Sequence, residues 1–134
     1  HGAVNVNRNE ILDVSDYPEL TSLLRLPPTG DSRASILHVK PDNEDKVAQF
    51  FQQNYEGLFE VRKSKEMLEK GYFGIGKIKP ETIDRIGDLV VLPKFNNAID
   101  NSTIDPRRDD VPGRHGGLSR EEMEVPLIVT KLSQ

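Results

Sequence analysis

His115 has the setting that most suggests chemistry in this 134-residue chain. It stands in Pro112-Gly113-Arg114-His115-Gly116-Gly117-Leu118, followed by Ser119-Arg120-Glu121-Glu122-Met123-Glu124 and then Val125-Pro126-Leu127-Ile128-Val129. Glycines beside an imidazole let the backbone take positive φ and let a ligand come close. The pattern is one that holds an imidazole at the rim of a sheet, where a metal or a phosphate can meet it. Two other histidines are weaker candidates. His1 precedes Gly2 and either belongs to the native sequence or is left from a purification tag. His38 lies inside Ile36-Leu37-His38-Val39 and reads as a hydrogen-bonded sheet histidine.

Other chemistry-bearing residues read more simply as structure. Asp105, Asp109 and Asp110 offer oxygen ligands to a hard cation. Their spacing departs from an EF-hand loop, and Arg107 and Arg108 between them favour a solvated loop. Gly71-Tyr72-Phe73-Gly74-Ile75-Gly76 lacks the preceding strand and immediate helix of a dinucleotide site, and reads as a tight turn with its aromatics on the core. Glu121, Glu122 and Glu124 serve the electrostatics of a helix start. No nucleophile elbow is present, so a serine-histidine-aspartate arrangement has no support.

The elements that must position these residues alternate between strands and helices. Residues 1–6 end a strand and residues 11–14 are extended. Ser15 or Asp16 opens a short helix, residues 26–31 form a loop, and Ala34 to Val39 is a buried strand. Asp42 or Asn43 caps a helix to about Tyr55, with Val47, Phe50, Phe51 and Tyr55 at helical spacing and Gly57 beyond its end. A strand at Phe59-Glu60-Val61-Arg62 precedes a short helix capped by Ser64. Pro80 starts another helix, and Leu89-Val90-Val91-Leu92 is a buried strand. Residues 96–114 are read as one long loop. Ser119 and Glu122 form a capping box, Pro126 stops that helix, and Leu127-Ile128-Val129 is expected as a buried strand.

Apolar residues make up 35% and charged residues 30% of the chain, enough for one domain with a modest core and much loop. The net charge of −4 disfavours a nucleic-acid polymer as partner. The absence of cysteine excludes disulfides and thiolate metal sites. It also fits a reducing compartment, and a cytoplasmic location is expected. No apolar run reaches the ~20 residues of a membrane helix, and no signal-peptide pattern is read. A start at His1 rather than at methionine leads to the expectation of a piece of a longer protein.

Taken together, these stretches resemble the C-terminal part of the alkaline phosphatase superfamily, in its type I phosphodiesterase/nucleotide pyrophosphatase branch. The resemblance rests on His1-Gly2-Ala3-Val4, similar to the end of an Asp-His-Gly motif, and on Ile86-Gly87-Asp88-Leu89-Val90-Val91. It rests most on Gly113-Arg114-His115-Gly116-Gly117-Leu118 with Glu122-Met123-Glu124-Val125-Pro126-Leu127. Residues 28–34 and 65–74 resemble the connecting region of that family.

The resemblance implies an α/β sandwich with a mixed sheet. Residues 1–134 would form a single α/β (mixed α+β) unit, its C-terminal portion, with a small α+β insertion at about 36–78. It implies a hydrolase holding two divalent ions, usually zinc, on Asp and His ligands, with a Ser or Thr nucleophile acting on a phosphate-ester small molecule. His115 matches the ligand of the C-terminal His-Gly motif, and His1 the histidine of Asp-His-Gly. The aspartate before His1, the nucleophile and the N-terminal aspartate ligands are absent from this chain. The chain alone is therefore expected to be inactive, to bind zinc weakly and, with apolar surface exposed, to form a homodimer. The competing reading is a small non-catalytic binding or interaction module that uses the glycine-rich loop. A native aspartate just before His1 would favour the hydrolase, and a methionine there the module.

Overall fold

The computed structural model describes residues 2–106 and 111–131. His1, Asp109 and Asp110, named above as candidate ligands, lie outside the described residues. Among the described residues no helix is long and apolar enough to cross a membrane.

The architecture is mixed α/β. The largest sheet has four antiparallel strands: β3 (Thr29–Asp31), β4 (Ala34–Leu37), β5 (Phe59–Lys63) and β6 (Leu89–Pro93), in the order β3-β4-β6-β5. Ile36 faces Val90 across one ladder, and Val61 faces Val91 across the other. β6 is buried at all five positions. Its alternating side chains serve two cores. Leu89 and Val91 join the main cluster with Leu37, Phe51 and Phe59, while Val90 and Leu92 meet Met67 on the opposite face. A strand covered on both faces reads as an unbroken apolar run, which is why Leu89-Val90-Val91-Leu92 is so legible.

Helix α2 (Glu44–Asn54) covers the main face with Val47, Phe50 and Phe51. Phe50 meets Tyr17 edge-on and Phe51 packs at a tilt on Phe59, and the Tyr17 and Tyr55 hydroxyls share a hydrogen bond. Residues 36–78, expected as an insertion, supply the second half of β4 and all of α2, β5 and α3 (Ser64–Glu69) to this layer. The rest of the sheet comes from β3, the first half of β4 and β6, on either side of that stretch in the chain.

Two small ladders flank the sheet. β2 (Ile11–Asp13) pairs in parallel with β7 (Ala98–Asp100), and β1 (Val4–Asn5) pairs antiparallel with β8 (Gly113–Arg114). Leu12 and Ile99 enter the main core; Ile11 and Ala98 pack with Val4 and Val6. The amide of Ile99 donates to Ser32 O at 2.9 Å, tying β7 to the β3–β4 turn. Short helices α1 (Pro18–Thr21), α4 (Pro80–Arg85) and α5 (Arg120–Met123) complete the chain, α1 and α4 each beginning with proline.

Several expectations change. The loop expected over 26–31 contains β3, and the one over 96–114 contains β7 and β8. Each is two or three residues long, too short to show a period, and is held by partners distant in sequence. Ser64 is not a cap: its buried hydroxyl donates to Ile86 O at 2.7 Å. The first short helix begins at Pro18 rather than Ser15, because Asp13 caps a 3₁₀ turn at Val14–Asp16 through the Ser15 amide. Tyr72 and Phe73 stay substantially exposed instead of packing inward; Tyr72 instead lies under the Arg62 guanidinium, 5.1 Å from its ring centre. Leu127-Ile128-Val129 is not a buried strand. These residues are 87%, 89% and 81% exposed and join no ladder among the described residues. β-type composition does not make a strand where no neighbouring strand takes its backbone hydrogen bonds.

Candidate functional site

The turn that carries His115 follows directly on the ladder between β1 and β8. In the β1–β8 ladder Val4 faces Arg114 and Asn5 faces Gly113, and the Val6 amide donates to Pro112 O. The stretch just after His1 therefore runs antiparallel to the stretch that ends at His115. Gly2 lies beside the backbone of Glu122: a Cβ there would sit 3.5 Å from the Glu122 carbonyl oxygen.

His115 is exposed and lines an open cleft of about 780 Å³ with Asp31, Ser32, Asp105 and Arg114. Asp31 ends β3. Its carboxylate packs against Gly116, where an added Cβ would stand 2.9 Å from Oδ2, and Gly116 has φ of +98°. A side chain at 116 would thus be strained and would collide with Asp31, so glycine is what lets the carboxylate lie beside the histidine turn. Arg114 donates through Nη2 to Asp100 Oδ2 at 3.2 Å, fixing the residue before His115 to β7. Asp105 also lines the cleft.

Behind the cleft sits a buried ion pair. Arg33, in the β3–β4 turn, is fully buried. Its Nε donates to Glu122 Oε1 at 3.0 Å, and its Nη2 to Glu122 Oε2 at 2.8 Å. Its Nη1 donates to the Asn97 carbonyl. Glu122 also accepts from the backbone amides of Gly117 (2.9 Å) and Ser119 (3.3 Å). Burial alone would raise the Glu122 pKa, but the hydrogen bonds from Arg33, Ser119 and Gly117 outweigh it and lower it to about 2. Gly117 is sterically required here, since a Cβ would lie 2.6 Å from Glu122 Oε2.

The capping box read at Ser119 and Glu122 is present: the Glu122 amide donates back to Ser119 Oγ at 3.3 Å. Sequence reasoning assigned Glu122 only to the helix start and missed its larger role, because its partner lies 89 residues earlier. Arg33 and Asp31 were missed as well. Their one local signal is an Asp-Ser-Arg turn before an apolar strand. Glu124 pairs with Arg120 one helical turn earlier, at 2.7 Å. His38 is buried, with Nε2 3.2 Å from the Thr29 hydroxyl, as expected for a structural histidine.

Among the described residues, no group of three or more His, Asp or Glu side chains converges as a metal site would require. No family model matches the chain, and no curated protein matches it in sequence. Solved structures do resemble it. Murine ectonucleotide pyrophosphatase/phosphodiesterase 5 superposes with a TM-score of 0.54 and 19% identity, over 87% of this chain and 28% of that one. An inactive form of the same murine enzyme in complex with AMP gives the same values. The chain thus spans under a third of the enzyme it resembles, and what it shares with that part is the fold.

Proposed function

We propose that this chain is the C-terminal metal-site region of a metal-dependent phosphodiesterase/nucleotide pyrophosphatase-like hydrolase, acting as a whole on phosphate-ester small molecules. The observation that carries the reading is the β1–β8 ladder, which pairs Val4 and Asn5 with Arg114 and Gly113, beside the His115 turn that lines the cleft. The resemblance expected a histidine ligand in each of these two stretches, and the fold likeness covers most of the chain.

The donor chemistry suits zinc in part. His115 offers an exposed imidazole, and Asp31 brings a carboxylate to the same cleft. The described residues supply no shell of three ligands, so His1 and residues beyond this chain would complete it. A bound divalent ion would supply charge stabilisation to phosphoryl oxygens. This chain's part is to hold His115 in place: β8 anchors its backbone, Arg114 ties that strand to Asp100, and the Gly116 turn opens its face. No residue of this chain is assigned as nucleophile, and the isolated chain is expected to be inactive.

The test is a zinc titration by calorimetry of the purified chain beside His115→Ala. Micromolar or weaker binding that disappears in the variant is expected. No binding by the wild type, or equal binding by both, would overturn the assignment of His115. Zinc-dependent cleavage of bis(4-nitrophenyl) phosphate by this chain alone would overturn its expected inactivity.

A further inference from the structure

We infer that Arg33 and Glu122 are positioning residues, a buried latch that sets the orientation of the His115 turn. As a statement about zinc binding this rests on the function proposed above; as a statement about the order of the turn it does not. Five contacts argue for it. Arg33 reaches from the β3–β4 turn to Glu122 through two parallel hydrogen bonds and to the Asn97 carbonyl through a third. Glu122 passes the constraint on, accepting the Gly117 and Ser119 amides, two and four residues after His115. The turn has few other means of holding its shape. Gly116 and Gly117 contribute no side chains, and Leu118 is largely exposed. The last backbone tether before it is the two-residue β8.

The same hairpin that carries Arg33 ends β3 with Asp31, whose carboxylate packs on Gly116. One rigid turn thus locates both the acid beside the histidine and the cation that anchors the turn from behind. The carboxylate receives four N–H donors, two on each oxygen. That makes Glu122→Gln a sharp probe. It conserves shape, yet whichever way the amide is turned, its NH₂ faces two of these donors at once.

The experiment compares the wild type, Glu122→Gln, Arg33→Lys and a core control, Val91→Ala, each checked for native circular dichroism. Val91 is fully buried and belongs to the main core, not to the cleft. The first readout is ¹⁵N relaxation of residues 115–119; the second is the zinc dissociation constant. Glu122→Gln is expected to loosen residues 115–119 and to weaken zinc binding by about 10–100-fold, the usual range for outer-shell changes. Arg33→Lys, keeping charge but losing the fork, should fall between it and the wild type. Val91→Ala should lower the urea midpoint without either effect. Unchanged order of 115–119 in Glu122→Gln, or equal loosening in Val91→Ala, would overturn the latch, whether or not zinc binds. A wild type that binds no zinc but whose turn loosens in Glu122→Gln would leave the latch standing and overturn the metal-site reading instead. Should Glu122→Gln fail to fold, Arg33→Lys carries the comparison with the same criteria.

Discussion

Arg33 and Glu122 form a buried ion pair, with side chains 0% and 1% exposed, so both the stability and the acid response of the domain should feel its loss. Breaking a buried pair by removing one partner costs about 3–5 kcal/mol, because the remaining charge is left without a counter-ion. Arg33→Met should fall in that range, measured by the loss in urea midpoint at neutral pH. The double change Arg33→Met with Glu122→Leu should recover part of it, since no charge then remains buried, although the Gly117 amide still lacks its acceptor. The pH dependence follows from the sign of the Glu122 shift. Its carboxyl titrates near 4.5 when unfolded and at about 2 when folded, so the unfolded chain binds the proton more readily. The stabilisation, on the order of 3 kcal/mol, is therefore complete above about pH 5 and is lost as the pH falls toward 2. A urea midpoint followed over that window should fall steeply in the wild type and much less in Glu122→Gln. Equal slopes would show that other carboxylates carry the acid response. None of this was legible from the residues alone: Ser119 and Glu122 announce a capping box by their spacing of three, but nothing local tells Glu122 that Arg33 exists.

At the scale of elements, legibility followed length and local chemistry. Helix α2 announced itself through Val47, Phe50 and Phe51 on one face, and β6 through its unbroken apolar run. Helix α5 announced itself through its cap, although it is only one turn long. The strands that escaped, β3, β7 and β8, have two or three residues each and exist only because of partners brought in by the fold. The opposite case is residues 127–129, where an apolar run with two β-branched residues predicts a strand but joins no ladder among the described residues. Two substitutions test the local devices. Ser119→Ala removes the hydroxyl that accepts the Glu122 amide and should cost about 1 kcal/mol, as other N-cap losses do. Gly87→Ala should cost more. Gly87 has φ of +58°, and a Cβ there would lie 2.8 Å from both the Leu37 carbonyl oxygen and the Ile36 side chain, at the turn leading into β6. Strain at such a position is worth about 1–3 kcal/mol, and the clash with backbone adds to it. Chemical denaturation should rank the two in that order; a milder Gly87→Ala would mean that the turn relaxes without disturbing β4.

For the whole molecule, the question is what the exposed apolar surface does. Val125, Leu127, Ile128 and Val129 are all more than two-thirds exposed in a stretch that belongs to no helix or strand, and the likeness covers 28% of the larger enzyme that the chain resembles. An exposed apolar stretch whose backbone joins no ladder is open to pairing with another strand. In a solution of this chain alone, the available partner is a second copy. Full burial of a Leu, Ile or Val side chain is worth about 1.5–3 kcal/mol, and a two-stranded pairing buries each of them only on one side. Association costs an estimated 4–15 kcal/mol in lost rigid-body freedom. The two terms are of similar size, so self-association should be weak and concentration-dependent rather than obligate. Light scattering across a concentration series is expected to show the mass rising from monomer toward dimer at high concentration. Leu127→Ser with Ile128→Ser should hold it at monomer, while Ile75→Ser, still more exposed but on the glycine loop at Gly74 and Gly76, should leave the association unchanged. A wild type that stays monomeric throughout would mean that the segment's apolar area is too small to pair, and an effect of Ile75→Ser equal to that of the tail change would move the contact surface to the loop. The tail follows directly from α5, whose cap is completed by Glu122. Pairing at residues 125–129 should therefore also slow amide exchange at Gly117 and Ser119 as concentration rises, giving a second, residue-level reading of the same event.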